Sequence, residues 1–251
     1  MDVALMILAI AATTMVASGV QSIAGMGFGL VAMPLFVGVF GPAEGVLWGN
    51  IIGTVTSATL FVEKRRDVNW KIALRFIVAA TPIIFLTVYA TRGLNQSMMN
   101  IVVGVVMLAL VTFAVFAKRL PDLRGVLPMY ATGAIGGFLS AAVGQAGPVL
   151  TAYARAARWP QRSFAATLQV YFLGMNALNI PLKLSVGYGP TDATVGWLTF
   201  GAGFFGIMIG SYIARRISSK ITSRQASSFA MIVATVGATL VLTRGLIGIF
   251  G

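Results

Sequence analysis

Gly25-Met26-Gly27-Phe28-Gly29 interrupts a long apolar run, and Gly144-Gln145-Ala146-Gly147-Pro148 interrupts another in the second half of the chain. In lipid, backbone N–H and C=O groups stay unpaired only where protein buries them or where they line a cavity. Two glycine-rich breaks at bilayer depth therefore predict one shared internal site, reached from both halves of the chain.

The surrounding composition says why lipid is the relevant solvent. Of 251 residues, 58% are hydrophobic and 10% charged, where a soluble domain carries roughly a quarter charged. Eight apolar segments are long enough to span, at about 18 residues or more: 3–23, 43–62, 70–89, 96–117, 126–143, 163–184, 191–214 and 225–250. Two shorter ones, 30–40 and 149–157, follow the breaks. Gly41-Pro42, Arg92-Gly93, Leu120-Pro121, Trp159-Pro160 and Gly189-Pro190 punctuate the connections. The expected fold is an all-α polytopic membrane protein forming a single membrane domain over 1–251. It is read as two inverted repeats, 1–120 and 121–251, each with a glycine-broken helical hairpin and three long transmembrane helices.

A faint repeat supports the division. At an offset of 119, Gly25 falls on Gly144, Asn50 on Gln169, Ser57 on Asn176 and Lys64 on Lys183. The charges give the orientation. If each short arm returns the chain to the side it came from, the loops at 63–75, 118–124, 155–162 and 215–224 share one side and hold 15 of the 18 basic residues, leaving Arg92, Lys183 and Arg244 opposite. If the arms merely extend helices, the division is 10 to 8. The positive-inside rule selects the first arrangement, with inverted halves and both termini on the non-cytoplasmic side. The net charge of +12 then reflects loop topology and not nucleic-acid binding. Met1-Asp2-Val3 lacks the basic stretch of a cleaved signal, so the first apolar segment is expected to remain in the mature protein.

The chain has no Cys and no His, which excludes disulfides, thiolate chemistry and histidine metal sites. No cofactor and no metal are expected. The six acids, Asp2, Glu44, Glu63, Asp67, Asp122 and Asp192, all map to segment ends or loops. A cation site or a carboxylate proton relay needs an acid inside the membrane; an anion site needs only donors. Helix N-termini following the breaks carry unpaired N–H groups and positive partial charge. Amides at Asn50 and Gln169 fall about 10 Å inside their segments at 1.5 Å per residue. The candidate substrate-binding set is Gln21, Gly25, Gly27, Gly29, Asn50, Ser57, Gly144, Gln145, Gly147, Gln169 and Asn176. Arg155, Arg158 and Arg162 are candidates for a basic inner mouth that concentrates anions. The plainer readings are close helix packing for the glycines, as in the Gly206/Gly210 spacing, interhelical glue for the amides, and topological anchoring for the arginines.

Gly25-Met26-Gly27-Phe28-Gly29-Leu30-Val31-Ala32-Met33-Pro34 resembles the first-half signature of the sulfite exporter TauE/SafE family, with Phe28 where many relatives have glycine. Gly144-Gln145-Ala146-Gly147-Pro148-Val149-Leu150, the run from Arg162 to Leu173 and Asn179 resemble its second-half signature. The resemblance covers essentially the whole chain. It implies a transporter, usually an exporter, of sulfite, sulfoacetate or other organosulfonates in the bacterial inner membrane. The competing reading, an integral-membrane enzyme, is disfavoured because the chain lacks His, Cys and buried acid pairs, so nearly all hydrolytic and metal chemistry is missing; no enzyme is expected. Other small organic anions such as carboxylates, and a non-transporting membrane scaffold, stay open as alternatives. The expected partners are a small anionic substrate and the lipid bilayer, with no nucleic acid and with a homodimer left open.

Overall fold

A computed structural model describes residues 3–116, 125–189 and 193–250. The loop 118–124, with Lys118, Arg119, Arg124 and Asp122, lies outside the described residues, as do Asp2, Pro190, Asp192 and the expected repeat boundary at 120/121.

The described residues form ten α-helices and no strand: α1 Val3–Ala24, α2 Phe28–Phe40, α3 Pro42–Lys64, α4 Trp70–Thr91, α5 Gln96–Phe116, α6 Val126–Val143, α7 Gly147–Ala156, α8 Gln161–Ser185, α9 Ala193–Ile217 and α10 Ser223–Phe250. A 3-10 turn at Arg65–Asp67 extends α3. Among the described residues each apolar segment expected from the sequence lies in a helix, and α2 and α7 are the two short arms. Seven helices are long and apolar enough to cross a membrane: α1, α3, α4, α5, α6, α9 and α10. The protein is thus a multi-pass membrane protein. α8 is long enough but too polar to qualify, because it carries Gln169, Asn176, Asn179 and Lys183, all buried inside the protein.

Helix pairing rests on glycines. α1 lies along α9, where Gly206 sits on Thr14 and Ala11 and Gly210 on Met15 and Ser18. α4 lies along α6 in a matching way, with Gly133 on Phe76 and Gly137 on Ala80. α5 and α10 run antiparallel, since Gly104 meets Leu242 while Gly245 meets Ile101. Without a hydrophobic drive between helices in lipid, such close backbone approach is what holds pairs together. The packing reading of Gly206 and Gly210 therefore holds.

The short arm α2 is clamped on α3. Gly45, Gly49 and Gly53, one turn apart, lie against Phe36, Met33 and Phe28 in turn, so the two helices run in opposite directions. A Cβ at Gly45 would come within 2.6 Å of the Val37 backbone nitrogen. Gly27 folds back to within 2.8 Å (at its Cβ position) of Val20 on α1, a distance a continuous helix would not allow at seven residues' separation.

The polar ends sort into two groups. Arg162 Nε meets Asp67 Oδ2 at 2.8 Å and Arg215 Nε meets Glu63 Oε2 at 3.7 Å. The basic loops at 63–75, 155–162 and 215–224 thus gather at one end of the molecule. At the other end, Gly41–Glu44, Leu94, Gln96 and Gly187–Gly189 line one cleft, and Arg244 donates to Gly38 O at 3.0 Å.

Candidate anion site between the two helix breaks

Both breaks begin with the same local event. Gly25 ends α1 at φ +79° and Gly144 ends α6 at φ +70°, left-handed values that favour glycine. Gly25 N–H returns to Gln21 O at 2.8 Å, and Gly144 N–H to Ser140 O at 3.0 Å. Each chain then restarts a helix after two more residues.

The breaks press on each other. A Cβ on Gly29 would stand 2.7 Å from Gln145 Cβ and 3.0 Å from Gly144 O, and one on Gly147 would stand 3.0 Å from Met26 Sδ. Met33 reaches from α2 to lie between Gly49 of α3 and Gly144. Backbone meets backbone here because neither side carries a side chain to hold them apart.

Between the breaks lies a cavity of about 50 Å³. Nine residues of the expected set line it: Gln21, Gly27, Gly29, Asn50, Ser57, Gly144, Gln145, Gly147 and Asn176. Ser140, Phe172, Met175, Gly49 and Gly53 also line it. For Gly49 and Gly53 the signal was the four-residue glycine spacing on α3, and for Ser140 its place one turn before Gly144; Phe172 and Met175 carried none. No charged side chain is among the lining residues.

The amides divide into two kinds. Gln21 Nε2 donates to Gln169 Oε1 at 3.1 Å and to Ser57 Oγ at 3.5 Å, while Gln21 Oε1 accepts from Phe28 N–H at 3.3 Å. Gln169 Nε2 donates to Gly25 O at 3.2 Å and Ala165 O at 2.9 Å. Gln169 and Gly25 therefore stand behind the cavity wall and hold it; neither lines it. The sequence expectation that the Gln169 NH2 would complete an oxygen cage does not match this geometry, since its donors are already taken by backbone carbonyls.

Asn50 Nδ2 and both polar atoms of Gln145 are buried without a hydrogen-bond partner, and both residues face the cavity. A buried amide left unpaired is costly, on the order of 1–3 kcal/mol per group, so these are the donors with capacity for a guest. The first turn of α2, at Gly29 and Leu30, and the start of α7, at Gly147, add N-terminal backbone at the same wall. Pro148 removes one N–H there.

The three arginines are placed elsewhere. Arg155, Arg158 and Arg162 are exposed, and none lines the cavity. Arg162 is engaged with Asp67, and Arg158 takes φ +53° in the turn after α7.

A bundle of spanning helices around an uncharged, donor-lined hollow, with no cluster of metal-ligating side chains among the described residues, defines a polytopic membrane protein with an internal cavity. The family model described as Sulfite exporter TauE/SafE matches residues 10–241, and the chain belongs to that family of membrane transporters. Comparison with curated proteins and with solved structures returns no match.

Proposed function

We propose that the protein carries a compact sulfur oxyanion, sulfite first, across the bacterial inner membrane, and that the anion rests between the two helix breaks. The observation that carries this reading is the pair of buried, unpartnered amides, Asn50 and Gln145, facing a hollow with no charged lining. Neutral donors and helix N-termini stabilise a negative guest. They also release it more readily than a buried guanidinium, whose charged hydrogen bonds are about twice as strong.

Size refines the substrate. The hollow is small, about 50 Å³, against the roughly 10–15 Å³ needed to admit one water, and this favours a compact oxyanion. A sulfoacetate-like organosulfonate, or a carboxylate of similar length, requires the hollow to widen during the cycle. The scaffold alternative leaves the two orphan amides without a purpose. No catalytic role is assigned: no carboxylate, lysine or arginine faces the hollow.

In this reading residues 1–120 and 121–251 are inverted repeats. The support is reciprocal: α1 of the first half pairs with α9 of the second, and α6 of the second with α4 of the first, while Gly25 and Gly144 both take a left-handed φ. Each break with its short arm makes a hairpin, supported by the return of Gly27 to Val20. The end bearing the basic loops faces the cytoplasm, and both termini lie opposite. A homodimer is compatible with this arrangement.

Counterflow in vesicles reconstituted with the purified chain tests the proposal. Radiolabelled sulfite should exchange against internal sulfite, and taurine, a zwitterion, should not compete. Failure of sulfite, sulfate, sulfoacetate and simple carboxylates alike to exchange would overturn it.

A further inference from the structure

Lys183 is 1% exposed. Its Nζ has no hydrogen-bond partner, and no ion pair among the described residues includes it. A buried charge-bearing group is ordinarily paired, and packing alone does not call for an ammonium.

Its position on α8 gives the group a context. Gln169, Asn176 and Lys183 follow at intervals of seven residues, close to two turns at about 3.6 residues per turn. They therefore share one helical face. Asn176 lines the cavity, and Lys183 lies two turns beyond it, roughly 10 Å along the helix. α3 carries the same series: Asn50, Ser57 and Lys64, of which Asn50 and Ser57 line the cavity.

The two helices run in opposite directions. The end of α3 meets the start of α8, through Arg162 with Asp67 and through Asn69 N–H donating to Thr167 Oγ1 at 2.9 Å. The end of α8 meets the start of α3 at the cleft that Gly187–Gly189 share with Gly41–Glu44. The two lysines thus stand at opposite ends of one polar stripe with the cavity between them. Lys64 is half-buried at the basic-loop end, its Nζ donating to Ser22 O at 3.5 Å. Lys183 is at the other end, where the hydroxyl of Tyr188 is a second buried polar group without a partner.

We propose that Lys183 is a cationic station for the transported anion on the route between the central cavity and the cleft at Gly187–Gly189, the counterpart of Lys64 on the basic-loop side. The anion in transit supplies the counter-charge that the protein withholds. The stations attract the anion from either end, and the neutral cavity between them keeps it from being trapped. This inference rests on the transport reading of the preceding section.

The test uses the full chain reconstituted in phosphatidylcholine vesicles, with exchange of radiolabelled sulfite followed over a range of sulfite concentrations. Lys183→Met, monodisperse by size exclusion, should raise the half-saturating concentration about tenfold, the size of one lost charged hydrogen bond. Lys183→Arg should stay within about threefold of the parent on the same scale. Should Lys183→Met aggregate, Lys183→Gln takes its place as the neutral variant. The chain has no cysteine, so Lys183→Cys can be modified alone. Reaction with 2-aminoethyl methanethiosulfonate, which restores an ammonium, should recover exchange; methyl methanethiosulfonate, which does not, should leave it impaired. Where the thiol resists modification, the Met or Gln variant against Arg decides. Unchanged half-saturation in the neutral variants, or equal recovery with both reagents, overturns the role of Lys183 and leaves the transport reading standing. Absence of exchange in the unmodified protein overturns the transport reading itself.

Discussion

Gln21 and Gln169, 148 positions apart in sequence, are joined by a buried hydrogen bond of 3.1 Å from Nε2 to Oε1. This contact ties the last turn of α1 to α8 just behind the cavity, and Gln169 extends it to the carbonyl of Gly25. The backbone of the first break is thereby tied to a side chain of α8. Asn50, by contrast, leaves its Nδ2 without a partner.

That difference separates two variants that look alike in sequence. Gln169→Leu strands the Gly25 carbonyl, at about 1–3 kcal/mol for a buried group, and leaves the Gln21 Nε2 with only its 3.5 Å contact to Ser57 Oγ. It should lower the melting temperature in detergent as well as sulfite exchange. Asn50→Leu strands nothing and should reduce exchange with melting close to the parent. Equal melting of Gln169→Leu and the parent would remove Gln169 from its holding role.

The breaks themselves are sensitive to a single methyl group. Gly25→Ala and Gly144→Ala place a Cβ on a left-handed backbone, which costs roughly 1–2 kcal/mol. At Gly25 the new carbon also lies 3.0 Å from Ala165 Cβ. Both should lose melting temperature and exchange. Gly201→Ala, which meets nothing within 4 Å in the body of α9, should be neutral or slightly stabilising, because alanine is the better helix former. Melting curves of the three variants check the contrast.

The exposed arginines should act only at a distance. The Arg162–Asp67 pair has the arginine side chain 84% exposed, and such pairs contribute about 0.2–1 kcal/mol. Arg162→Ala should therefore barely move the melting temperature. If Arg155, Arg158 and Arg162 concentrate anions at an inner mouth, replacing all three by Ala should slow exchange at low ionic strength. At about 0.5 M salt, where the screening length shrinks to a few ångströms, the difference should vanish. A deficit that persists in high salt would mean direct contact with the anion.

Sidedness is open to single-cysteine labelling, since the chain has none of its own. Gly93→Cys, at the end shared with Gly187–Gly189, should react with a membrane-impermeant maleimide in intact cells. Ser218→Cys, beside Arg215 and Arg216, should react only after permeabilisation. The reverse pattern would invert the proposed orientation.

Most of the helical frame was legible in hydropathy. The start of α4 at Trp70 and of α6 at Val126 coincide with the apolar segments; Gly41-Pro42 marks the N-cap and first residue of α3, and Trp159-Pro160 falls between α7 and α8. α8 was legible as a segment although its polarity keeps it from qualifying as a span, because the surrounding helices, not lipid, cover Gln169 and Lys183. The repeat offset aligned Asn50 with Gln169, but it could not say which residues touch. α3 and α8 run in opposite directions, so Gln169 comes to the level of Ser57, and both bond Gln21. Charge grouped Arg155 and Arg158 with the basic loops at 63–75 and 215–224, and these three loops gather at one end of the molecule. It gave no depth, and both remain outside the cavity. The Gly45, Gly49, Gly53 series was visible as spacing; its partner α2 became evident only once the chain folded back at Gly27.

The most direct test of the site is anomalous diffraction from crystals soaked in selenite, the heavier analogue of sulfite. The account predicts a selenium peak between Gly29 and Gly147, within hydrogen-bond reach of Asn50 Nδ2 and the Gln145 amide, and its loss in Asn50→Leu. A peak confined to the exposed arginines, with the hollow between the breaks empty at saturating selenite, would contradict it.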